Sequence, residues 1–165
     1  MFDPNQYFKQ IAESHKEIQH TELAPAFFRE YSSSKVLFDN SEFLSKMRYV
    51  KRIGIVSQFN NDSNFFGPHA DAHFKSISGA VYVIMKVIDK DFQEVQNKTN
   101  EIINDIFCKL ENDSEQGLIS QEINIKLNDI SVHTLGLIAD NYYGAVMFIN
   151  FSQPFCQTYN PDKWI

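Results

Sequence analysis

The chain has 165 residues, 43% of them hydrophobic, with 15 Phe and 7 Tyr and a formal net charge of −6. That length fits a single domain with a sizeable core. The excess of acid over base, with no basic run longer than Lys51-Arg52, excludes a general attraction to nucleic-acid phosphates, which needs a cationic surface.

Other classes fall away on simple grounds. Cys108 and Cys156 are the only cysteines, and their spacing gives neither a disulfide framework nor a zinc site. Cys108 lies beside an apolar helical stripe and reads as a small apolar residue. Met1-Phe2-Asp3-Pro4 has no basic or apolar leader region, and no apolar run approaches the ~20 residues that span a bilayer. The expectation is a cytoplasmic protein or part of a particle assembled in the cytoplasm.

In chain order, Asp3-Pro4 opens a helix, because proline at a first helical position gives up an N–H that has no partner there anyway. Tyr7, Phe8, Ile11, Ala12, His15 and Ile18 form its apolar face, through about His20. Thr21 to Pro25 is a turn, Ala26 to Tyr31 a short strand and Lys35 to Asp39 a second. Ser41 to Met47 reads as a short helix capped by Ser41. Tyr49 to Phe59, around Ile53-Gly-Ile-Val56, is a strand. Lys46, Arg48, Lys51 and Arg52 around its start read as a solvated strand edge, the alternative being a local basic patch.

Asn60 to Pro68 is dense in turn formers around Phe65-Phe66, and the stretch 60–73 is read as a loop available to a partner. Gly79 to Ile88 is apolar on both alternating faces, with Val81, Val83, Met85 and Val87 on one and Tyr82, Ile84 and Ile88 on the other. Such a strand belongs in the middle of a sheet. Asp91 then caps a helix, with Glu94 completing a capping box. Phe92, Val95, Thr99, Ile102, Ile103, Ile106, Phe107 and Leu110 make one stripe of that helix. Ile119 to Leu127 and Asp129 to Ile138 are strand-like, and the latter forms a hairpin with Tyr142 to Phe151 across Asp140-Asn141. The tail 152–165, with Tyr159 and Trp164, reads as an aromatic arm. Helices and strands segregate, so residues 1–165 are expected as a single α+β domain. Its antiparallel or mixed sheet would carry the long helix on one face, beside an N-terminal helix.

Reactive chemistry is sparse. His69-Ala-Asp71-Ala-His73, if extended, places two imidazoles and a carboxylate on one face, ligation suited to zinc or iron. The three positions spread over roughly 13 Å, and no second His/Glu cluster closes a shell, so the segment reads as a polar loop entering a strand. Asp89/Asp91 and Asp113/Glu115 sit at helix ends, where capping and the helix dipole account for them. His15 and His133 stand alone. No phosphate loop, nucleophile elbow, HExxH or paired CxxC occurs. The reading is therefore no catalytic residue, no cofactor and no metal.

The layout resembles a known class. A helix, the short strand Phe27-Phe28-Arg29, the strand-helix unit Ser78 to Leu110, and the strings Asp140-Asn-Tyr-Tyr-Gly144 and Asn160-Pro-Asp-Lys-Trp164 are similar to small structural proteins of phage tails and of the contractile injection systems related to them. The nearest group is the tail terminator, or tail-completion, proteins. That resemblance implies a non-enzymatic subunit in a homohexameric ring that caps the tail tube and joins it to the neck. Its partners would be copies of itself, the tube, and sheath or neck proteins, within a virion or tail-like particle assembled in the bacterial cytoplasm. Phe65, Phe66, Tyr159 and Trp164 are the candidate contact residues. The alternative is a small cytoplasmic ligand-binding domain or enzyme with its site near His69–His73.

Overall fold

The structure, a computed structural model, describes residues 2–30, 45, 47–50, 53–66, 73–88, 91–119, 124–125, 129–138 and 141–155; of these, 60–66, 73, 124, 125 and 155 are described by backbone alone. The elements are α1 (Pro4–Ser14), β1 (Phe27–Arg29), β2 (Ile53–Phe66), β3 (His73–Lys86), α2 (Phe92–Glu115), β4 (Asn124–Ile125), β5 (Ser131–Leu135) and β6 (Tyr142–Phe155).

The doubly apolar strand is central, as its two faces require. β3 pairs antiparallel with β2 on one side and with β6 on the other, from Lys86↔Tyr142 to His73↔Phe155. β1 lies parallel on the outer edge of β2, in register Phe27↔Ile55. β5 and β4 lie end to end along the other edge of β6, both antiparallel to it. The sheet is mixed, in the order β1-β2-β3-β6-β4, with β5 beside β6. Together with α1 and α2 this is an α+β fold.

Both helices cover the same face. Ile102, Ile103, Ile106 and Leu110 of α2 and Phe8, Ile11 and Ala12 of α1 are buried against Ile55, Phe59, Val81, Val83, Met147, Ile149 and Phe151 of the sheet. Phe8 stacks on Phe59, with ring centroids 5.7 Å apart. Polar contacts fix how α1 sits. Asn5 Nδ2 donates to the Phe59 carbonyl at 3.2 Å and Asn5 Oδ1 accepts from Ser57 Oγ at 2.8 Å. Tyr7 donates to Asp113 at 3.0 Å, and Lys109 pairs with the same carboxylate at 2.5 Å. Burial, then the Asp113 contact, push the Tyr7 hydroxyl well above its ordinary range.

On the opposite face Val56, Ala80, Tyr82, Ile84, Tyr142 and Val146 form a smaller cluster with Met47. Tyr82 donates to Gln58 Oε1 at 2.9 Å, and burial pushes its phenol up to about 12. Gly79 is required by close approach, since a Cβ there would run into the Phe59 ring and the Gln58 carbonyl.

Several expectations need correction. The turn formers at 60–66 do not make a loop, because they continue β2 alongside β3 as far as Phe66↔Phe74. The composition is accommodated by a bulge: the three residues between Phe59 and Ser63 oppose the single residue between Gly79 and Ile77. Residues 152–155 extend β6 instead of beginning an arm.

α1 stops at Ser14, short of His20. His15 is extended, its imidazole accepts from the Glu17 N–H at 3.3 Å, and Gln19 takes a left-handed φ of 50°. Cys108 is exposed, off the buried stripe, and Phe92, at the first helical position, is half exposed. Of Ile119 to Leu127, only Asn124–Ile125 is a described strand. Lys35 to Asp39 and most of Ser41 to Met47 lie outside the described residues, although Ser45 and Met47 are helical and Met47 is buried.

Candidate functional site

Strand direction decides where the exposed apolar side chains collect. β1, β2 and β6 begin, and β3 and β5 finish, at one end of the sheet, its base. Residues 15–26, 47–50, 87, 88, 91, 136–138 and 141 are therefore all in base connections. Leu23, Tyr49, Ile88, Phe92 and Leu137 sit in or directly after them, each between 52% and 96% exposed. The other large exposed apolar residues among those described are Leu118, Val132 and Phe148, and none of them is at the base. Isolated exposed apolar residues are ordinary; five at one end of a small domain make that end a candidate contact surface.

Local chemistry explains why these side chains stay out. Short connections carry backbone polar groups that need water or a turn partner, so the chain stays at the surface there. The base turns are closed by main-chain bonds, with Val87 N–H donating to Asn141 C=O at 2.8 Å and Ile138 N–H to Tyr142 C=O at 2.8 Å. Asn141 sits at φ 69°, a left-handed conformation that Asn tolerates. Asp91 caps α2 by accepting from the Gln93 N–H at 3.2 Å, which leaves Phe92 on the outer side, its ring 6.1 Å from that of Tyr143.

Beside these side chains a cleft of about 670 Å³ opens between the α1–β1 connection, the end of β3 and the first turns of α2. Ile53, Met85 and Ile88 give it an apolar floor and wall, while Lys16, Glu17, Glu94, Lys98 and Glu101 ring its mouth. Lys98 bridges the rim, donating to Glu17 at 2.6 Å and to Glu101 at 3.0 Å. Those hydrogen bonds, Glu17 first, hold its ammonium above the ordinary lysine range. The mouth is thus a mixed-charge collar beside an apolar surface.

Those residues picked from sequence that the structure describes lie elsewhere. Phe65 and Phe66 end β2, at the opposite end of the sheet, in register with Lys75 and Phe74. Tyr159 and Trp164 lie outside the described residues, as do His69 and Asp71, while His73 opens β3. Of these, the described Phe65, Phe66 and His73 stand at the end of the sheet away from the base. Among the described residues no three His, Cys, Asp or Glu side chains are placed to hold a metal ion, and no helix is long and apolar enough to cross a membrane. Sequence reasoning passed over Leu23 and Leu137. The signal for Leu23 was a lone large apolar side chain inside the turn-forming string Thr21 to Pro25; Leu137, in the apolar string Leu135-Gly-Leu-Ile138, gave none.

No protein-family model matches the chain, and no curated protein is significantly similar to it.

Proposed function

We propose that this chain is a structural subunit of a phage tail or contractile injection system, acting without catalysis in a closed ring of identical copies that terminates the tail tube. The single observation that carries the reading is the apolar base, where Leu23, Tyr49, Ile88, Phe92 and Leu137 face solvent at one end of the sheet. A subunit at the end of a tube needs such an axial docking face.

It also needs two unlike lateral patches, because a ring closes by head-to-tail contact. β5 supplies one candidate. It is at the margin of the sheet, four of its five residues are exposed, and its sequence, Ser131-Val-His-Thr-Leu135, has no lysine or proline to guard an edge. The order of elements that resembles tail terminators supports the same reading.

The test is electron microscopy and sedimentation of the purified chain, alone and with tube protein. Rings, most simply of six copies, or caps on tube ends are expected. A chain that stays monomeric and ignores the tube at every concentration would sink the proposal.

A further inference from the structure

Between α1 and β1 the chain is folded by its own short-range bonds. Ile18 and Gln19 N–H donate to His15 C=O at 3.1 and 3.0 Å, and His20 N–H reaches back to Ala12 C=O at 2.9 Å. Thr21 N–H donates to Ala24 C=O at 3.2 Å, and Ala24 N–H to Thr21 Oγ1 at 3.0 Å. The loop is closed by a side chain, with Ala26 N–H donating to His20 Nδ1 at 3.0 Å. Ala26 is buried, and its carbonyl accepts from Ile55 N–H at 2.7 Å, the first rung of the β1–β2 pairing. The imidazole packs near Phe27, with centroids 6.0 Å apart. Leu23, the most exposed apolar residue of the base, rides on this loop.

A ring nitrogen that accepts a hydrogen bond must keep its lone pair, so His20 here is neutral with its proton on Nε2. Protonation would put a second donor on Nδ1, aimed at the Ala26 N–H. That buried amide would lose its acceptor, an unfavourable state for a backbone group.

We propose that His20 is a pH-sensitive latch: neutral, it closes loop 20–26 and seats the start of β1 on β2; protonated, it releases both while the central strands stay folded. Burial lowers the proton affinity of the ring. Of the charged groups facing it among the described residues, both on α1, Glu13 opposes that shift and Lys9 adds to it. The folded-state pKa lies below the ordinary value of about 6.5. The latch therefore contributes fully above that value and is lost as pH falls through the folded one. This holds whether or not the base docks on a tube.

The experiment is amide hydrogen exchange on the full chain at about pH 7.5 and about pH 5, corrected for intrinsic exchange, together with the ¹⁵N resonances of the His20 ring. Protection at Ala26 should fall about tenfold at the lower pH, with Ile84 unchanged, and Nδ1 should be unprotonated at the higher pH. His20→Asn, whose Oδ1 can accept from the same amide without titrating, should keep its protection at both. Protection at Ala26 that is independent of pH, an equal fall in His20→Asn, or an Nδ1–H tautomer at neutral pH would overturn the latch. Should His20→Asn fail to fold, the two wild-type readings decide the matter alone.

Discussion

The helix-covered face of the sheet and the base of the sheet hold the same kinds of residue in opposite states. On the face, Ile102, Ile106 and Leu110 are buried by a second layer that meets them at helical spacing. At the base, Leu23, Ile88 and Leu137 are exposed because the turns that carry them must keep their backbone near water. Apolar character therefore has two uses in this chain. On the face it supplies stability; at the base it contributes little to folding and, on the proposed function, serves association. The two should separate under mutation.

The largest effect is expected at the face. Ile106→Ala empties space between α2 and the sheet and should lower unfolding free energy by ~2–5 kcal/mol in denaturant titration. A change below about half a kcal/mol, the size expected of a surface site, would mean the comparison is misdrawn. Gly79→Ala probes the same layer from the strand side. Its Cβ must displace the Phe59 ring or the Gln58 carbonyl, so a loss of about 1–3 kcal/mol is expected. An unchanged melting midpoint would show that Phe59 can give way.

The other face of the sheet answers through pH. Tyr82 is protonated in the fold to about 12, above its ordinary value, because it is buried. Its contribution is complete below about pH 10, where the unfolded phenol also keeps its proton. It is lost as pH rises from there through the folded value. Tyr82→Phe should remove that part of the alkaline decline in stability, and an identical decline in the variant would assign it to other groups. The smallest stability effect belongs to the base, where Leu137→Ser should shift unfolding free energy by no more than ~0.5 kcal/mol.

How much of this was legible depended on whether a residue's partner is local. The stripe from Val95 to Leu110 and the two-sided apolar run from Val81 to Met85 declare themselves by period, so the α+β class and the central strand could be read directly. So could the hairpin ending at Tyr142, whose turn lies beside the strands it joins. Residues 60–66 could not, because their strand state comes from pairing with residues after His73, and local turn preference is overridden by that partner. The base was equally hidden. Leu23 and Leu137 lie more than a hundred positions apart in sequence, and only the directions of β1 and β5 place them at the same end.

The most direct test of the central claim measures folding and assembly on one protein. Ile88→Ser/Leu137→Ser should melt like the wild type by circular dichroism while failing to form rings or to bind tube ends in sedimentation at concentrations where the wild type does both. A double variant that is equally stable and assembles as well as the wild type would contradict the assignment of the base as the docking surface.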